Sequence, residues 1–115
     1  MLTANRQREH IDEIKSMGGI GKLNLDMLYS RVEKPSHIKV FAKASLAPGN
    51  SIGYHIHTGE SETYYILSGN GSYNDNGNII SVKEGDVTVT YSGEGHSLEN
   101  TGSTNLEFMV LIVFD

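Results

Sequence analysis

The tetrapeptide Asp75-Asn76-Gly77-Asn78 admits few local structures. Asn-Gly supplies the two positive φ angles of a type I′ turn, whose twist matches that of antiparallel strands, so residues 71–74 and 79–83 are predicted to form a β-hairpin. The same punctuation recurs along the chain. Thirteen glycines and two prolines separate short runs rich in β-branched and aromatic residues, and Pro48-Gly49, Thr58-Gly59, residues 68–71, Glu84-Gly85-Asp86 and residues 92–95 all read as turns. With 115 residues there is room for one domain, 1–115, and one core. The predicted class is therefore all-β, a barrel or sandwich with frequent tight turns.

Residues 38–46 alternate, with Val40, Ala42, Ala44 and Leu46 on one face and Lys39, Phe41, Lys43 and Ser45 on the other. Lys43 could line a pocket and meet an anionic substrate, but the alternation favours a solvated place on the outer face. Strands are also predicted around His55 and His57, over residues 62–67, 72–74 and 87–91, and last over 106–114. That final strand is apolar on both faces, so its outer side is expected to be covered, by a second copy in a homodimer or by the N-terminal segment packing back. Residues 1–20 form a short N-terminal arm, helical or extended. Residues 3–15 favour a helix with Thr3 or Asn5 as cap and Ile11 and Ile14 as its apolar stripe, broken by Gly18-Gly19-Ile20-Gly21. Leu23, Leu25, Met27 and Tyr29 then alternate as a first strand, read as an edge strand or arm.

Composition excludes several classes. No apolar run approaches membrane-spanning length, and residues 1–16 carry charges of both signs without an apolar segment, so neither a membrane nor a secretory signal is expected and a cytoplasmic location follows by default. There is no cysteine, hence no disulfide, thiolate metal site or cysteine nucleophile. A net charge of −5 with no basic stripe and no tryptophan argues against nucleic acid.

Chemistry concentrates in His55-Ile56-His57, with Glu60 and Glu62 following and His96 much later. Histidines at i and i+2 point about 200° apart on a helix but share one face of a strand. A return strand from Glu62 would bring its carboxylate back to the imidazoles, and His96 would arrive from another strand. Two or three neutral imidazoles and a carboxylate suit manganese, iron, cobalt, nickel or zinc better than calcium. His10 and His37 sit in polar stretches without partners and read as surface residues. Glu60 shares the face of Glu62 and competes with it as ligand.

The spacing Gly49, five residues, His55-Ile56-His57, four residues, Glu62, six residues, Gly69 resembles the first motif of the cupin superfamily, G-x5-H-x-H-x(3,4)-E-x6-G. Gly85, five residues, Tyr91-Ser92-Gly93, two residues, His96, three residues, Asn100 resembles the second, G-x5-P-x-G-x2-H-x3-N, with Tyr91 in place of the usual proline. The motifs, 49–69 and 85–100, are separated by 15 residues, as in small bacterial single-domain members. The resemblance implies a cupin jelly-roll barrel, a double-stranded β-helix, with one divalent transition metal held by His55, His57, Glu62 and His96 in one open end. It assigns the carboxylate ligand to Glu62, leaving Glu60 as a carboxylate behind the ligands, a general base or a solvated turn residue. Tyr91 would put a phenol at the pocket rim.

Four protein ligands on an octahedral ion leave two positions for a small-molecule ligand or substrate bearing adjacent oxygens, such as a sugar acid, an α-hydroxy carbonyl or a 2-oxo acid. The expected function is a metalloenzyme with isomerase, lyase or decarboxylase chemistry. Glu60, Tyr64 and Tyr91 are the candidate acid/base groups, with Tyr54 and Glu94 behind them, and Tyr64 shares strand parity with Glu62. The same ligands would serve an iron-dependent dioxygenase, and a non-catalytic ligand-binding cupin is the third reading.

Overall fold

The computed structural model describes residues 1–115. Ten strands form two antiparallel sheets that face each other. The larger contains β1 (Glu9–Ile14), β2 (Lys22–Met27), β3 (Ile38–Leu46), β10 (Leu106–Phe114), β5 (Glu60–Ser68) and β8 (Val87–Thr90), in that spatial order. The smaller contains β4 (Ser51–Ile56), β9 (Gly95–Asn100), β6 (Asn70–Asp75) and β7 (Asn78–Lys83). This is the predicted all-β jelly roll. The β6–β7 hairpin forms about Asn76 and Gly77, both at positive φ, and no helix is long and apolar enough to cross a membrane.

Inward-facing residues of the alternating strands build the core: Ala42, Ala44 and Leu46 of β3, Tyr64 and Ile66 of β5, Leu98 of β9, and Leu106, Phe108 and Val110 of β10 are all buried. Along β5 the inner face passes from Ile66 through Tyr64 to Glu62 and Glu60, so the same strand leads from the packed core to a buried polar end.

Two register shifts aim side chains at that end. Ile52 pairs with Leu98 but His55 with His96, so β4 carries one extra residue. The parity change turns Ile52, His55 and His57 inward together, while Tyr54 and Ile56 point out at 48% and 63% exposure. Strict alternation from Ile52 would have buried Tyr54 and Ile56 and expelled both histidines. Gly53 lies in this bulge because the turn at Ser16–Gly18 presses on it: a Cβ there would overlap the Met17 carbonyl. On β3, Val40 pairs with Ile112 and Ile38 with Val113, leaving Lys39 as the extra residue. Lys39 therefore lines the interior end beside Val40 and does not lie on the outer face as alternation predicts.

The N-terminal arm is extended, which corrects the helical expectation. Asn5–Gln7 and Ser16–Gly18 make single 3-10 turns, and between them β1 pairs along β2 from Glu9↔Met27 to Ile14↔Lys22. A short isolated helix gains little, whereas β1 satisfies a free sheet edge and is anchored by the two-pronged pairing of Arg8 with Asp26 at 2.8 Å. Ile11 packs on the core while Ile14 is 68% exposed, so the apparent helical stripe is two opposite faces of a strand. β2 is consequently not an edge strand. β1 lies three strands from β10 and does not cover that strand's outer face, where Met109 and Leu111 are half-buried beside exposed Tyr65, Val87 and Val89.

Candidate metal centre

His55 and His57 come from β4 and the turn after it, Glu62 from β5 and His96 from β9. Each imidazole is held through Nδ1. His55 Nδ1 lies 2.7 Å from the Gly53 carbonyl, His57 Nδ1 2.8 Å from Glu60 Oε2, and His96 Nδ1 2.8 Å from both the Tyr73 and Thr90 hydroxyls. A carbonyl and a carboxylate can only accept, so His55 and His57 carry their proton on Nδ1, and their Nε2 lone pairs are free. His96 is oriented the same way by a hydroxyl pair that is itself bonded at 2.6 Å.

The three Nε2 atoms converge with Glu62 Oε1. His96 Nε2 is 3.1 Å from His55 Nε2, 3.1 Å from His57 Nε2 and 2.8 Å from Glu62 Oε1, while Glu62 Oε1 is 2.9 Å from His57 Nε2 and 3.8 Å from His55 Nε2. All four donor atoms lie within 4.8 Å of one another. Metal–nitrogen and metal–oxygen bonds of roughly 2.1 Å at right angles put neighbouring donors about 3 Å apart, so these separations suit a first-row divalent ion. The residues fit such a group: the four could hold one metal ion, with His57, Glu62 and His96 buried and His55 half-buried.

Electrostatics agrees. Burial works to raise the Glu62 carboxyl, but the imidazoles of His55, His96 and His57, which favour its charged form, outweigh burial and bring it to about 2. His96 is held below the ordinary histidine value by burial, whereas at His55 burial is outweighed by the neighbouring Glu62 carboxylate and the Gly53 carbonyl, which place it above that value. Glu62 is thus charged and His96 neutral at neutral pH, the states that metal binding requires.

Glu60 is not a solvated turn residue. It is buried, with one oxygen on His57 Nδ1 and the other 2.8 Å from Lys39 Nζ, and these two partners overcome burial to hold its carboxyl below the usual range. Tyr64 is brought to the cluster, its ring stacked on His96 at 5.1 Å and 19°. Burial, then the Glu62 charge, pushes its phenol well above the ordinary value. Tyr91 is not brought there: it is 62% exposed in the turn before β9 and outside the lining of the cavity. Glu94 spends its oxygens on the Tyr91 amide and the Asn76 side chain, and Tyr54 lies outside against Gly95. His10 and His37 are exposed, and Lys43 pairs with Glu107 on the outer face at 3.1 Å. The motifs do not point to Lys39, Tyr73 or Thr90, which the fold nonetheless brings against Glu60 and His96. Thr90 and Tyr73 carry an inward strand parity that could have shown them, whereas Lys39 depends on its bulge.

The cluster opens into a cavity of about 540 Å³ at one end of the barrel. Lys39, Glu60, Glu62, His55 and His57 line its polar part, and hydrophobic side chains of β2, β3 and β10 line the rest.

The chain matches the family described as Cupin domain over residues 42–113. It is 47% identical over 96 residues to the oxalate-binding protein of Thermotoga maritima, covering 84% of this chain and 79% of that protein. Its fold matches the crystal structure of a predicted oxalate decarboxylase from Thermotoga maritima with a TM-score of 0.89 and 37% identity, each chain covered in full. A sugar phosphate isomerase of the cupin superfamily from Silicibacter pomeroyi shares the fold at a TM-score of 0.79 and 17% identity, over all of this chain and 76% of that one.

Proposed function

This chain belongs to the cupin family, and on that premise we propose that His55, His57, Glu62 and His96 hold one divalent transition-metal ion that takes a small ligand through two adjacent oxygens. The observation that carries the reading is the convergence of three Nε2 atoms and one carboxylate oxygen while every Nδ1 is engaged elsewhere. When bound, the ion supplies Lewis acidity, polarising the ligand's oxygens and offsetting negative charge that develops there. The names carried by the Thermotoga maritima matches, oxalate-binding protein and predicted oxalate decarboxylase, support a carboxylate ligand with a neighbouring oxygen.

The reaction class that this arrangement supports best is decarboxylation, isomerisation or lyase chemistry next to a carbonyl. Tyr64 keeps its proton at neutral pH and is the available donor, while Glu60, kept deprotonated by Lys39 and His57, is the available acceptor. Non-catalytic binding is the second reading, favoured by the relative named for binding alone. An iron-dependent dioxygenase would use the same ligands. The apolar outer face of β10 and its neighbours supports a homodimer through that face.

Calorimetry of oxalate with manganese-loaded and metal-free protein, together with assays for formate and oxygen uptake, tests the reading. Metal-dependent binding is expected, with formate marking an enzyme. Equal binding by the metal-free protein would contradict it.

A further inference from the structure

The cavity is far larger than oxalate needs and is built in two unlike halves. About 540 Å³ falls within the range of roughly 300–1,000 Å³ that receives drug-sized ligands. Across the large sheet, Glu62 stands beside Ile112 and Ile112 beside Val40, while Tyr64 stands beside Val110, Val110 beside Ala42 and Ala42 beside Met27. With strands about 4.8 Å apart, the inner surface changes from carboxylate to hydrocarbon within one strand and stays apolar for about 10 Å more. Leu23 and Leu25 continue that wall on β2.

The apolar half offers no second handle for charge. Lys39, the one cation of the cavity, is tied to Glu60 at 2.8 Å, and Glu13 at the rim accepts from Ser16. A polyhydroxylated acid lying there would bury hydroxyls against Ile112, Val110 and Met27 without partners, at a cost per group that exceeds any packing gain.

We propose that the ligand of this site is an amphipathic carboxylate, a 2-oxo or 2-hydroxy acid whose oxygens meet the His/Glu end and whose hydrocarbon tail lies along β10 and β3 toward β2. The proposal rests on the chelation reading above and adds to it the chemistry of the rest of the ligand. Burying each methylene of the tail raises affinity roughly fourfold until the wall is covered, after which further length gains nothing.

Calorimetry of manganese-loaded protein with oxalate and with straight-chain 2-oxo acids from pyruvate to 2-oxooctanoate tests it, with metal content measured on the same samples. The expected result is affinity rising by roughly fourfold per methylene over several carbons and a flattened rise in Val40→Thr/Met27→Gln at unchanged metal content, with the lower melting temperature expected of two side chains that pack on the core. Oxalate binding with no gain along the 2-oxo series would overturn the amphipathic ligand and leave the chelation reading standing. Binding of neither oxalate nor any 2-oxo acid by metal-loaded protein would overturn both. If the double variant loses fold, Val40→Thr alone, which keeps the side-chain shape, carries the comparison.

Discussion

Glu60 Oε2 lies 2.8 Å from Nδ1 of His57, whose Nε2 is 2.9 Å from Glu62 Oε1, so two carboxylates two residues apart on β5 face the opposite nitrogens of one imidazole, Glu60 accepting the Nδ1 proton and Glu62 standing beside the free Nε2 lone pair. Only Glu62 joins the converging donors. Glu60 fixes which nitrogen of His57 is free and raises its basicity.

Replacing Glu60 therefore acts through His57. Glu60→Leu is expected to weaken metal affinity about 10- to 100-fold, and Glu60→Gln, which still accepts the Nδ1 proton through its amide oxygen, to recover part of that loss. Competition titration against a chromophoric chelator measures both. Equal affinities for wild type and Glu60→Leu would remove the positioning role.

Gly53 tests the bulge that turns the histidines inward. Its φ is not positive, so alanine there meets no backbone penalty, only the Met17 carbonyl. Gly53→Ala is expected to cost about 1–3 kcal/mol, read as a lower melting temperature, and to weaken metal uptake as β4 shifts. An alanine variant with wild-type melting and uptake would show that the close approach is not needed.

Acid should loosen the metal-free protein. Glu62 lies at about 2 when folded, below its ordinary 4.5, so its contribution is whole above about 4.5 and is lost as pH falls toward 2. His96 acts in the same direction, since a lowered folded value makes protonation below the ordinary 6.5 unfavourable to the fold. His55, raised, acts oppositely: its contribution is whole below 6.5 and fades as pH rises through its folded value. Denaturant titrations from pH 7 to 3 should show falling stability, less steep in Glu62→Gln. An identical profile in that variant would contradict the coupling.

The outer face gives a separate test. Leu111 stands between Phe41 and Thr63, in a row that ends at exposed Val89, and Met109 beside Tyr65 forms the next. Leu111→Glu is expected to shift the proposed dimer to monomer in sedimentation, weakening association by 2 kcal/mol or more, about 30-fold. A wild-type monomer at micromolar concentration would refute this use of the face.

Alternation made β3, β10 and the β6–β7 hairpin legible, because their inward residues are apolar and evenly spaced. The histidine pair and Glu62 were legible for the same reason, each parity being kept locally. What the sequence hid are the insertions that change parity. Gly53, an isolated glycine inside a strand pattern, is the one mark of the first bulge, and Lys39 reads as an outer residue because the second carries no such mark. The N-terminal arm failed differently: Ile11 and Ile14 at i and i+3 satisfy a helical pattern, and only the free edge of β2, a tertiary feature, decides for strand.

The four converging donors are expected to hold one metal ion. Elemental analysis of protein purified without chelator, then reloaded with manganese, iron, cobalt, nickel or zinc and dialysed, measures this, with His57→Ala alongside. Close to one transition-metal ion per chain is expected for the wild type, and its loss in a still-folded His57→Ala. A wild type that retains none of the five metals, or a variant that retains metal in full, would contradict it.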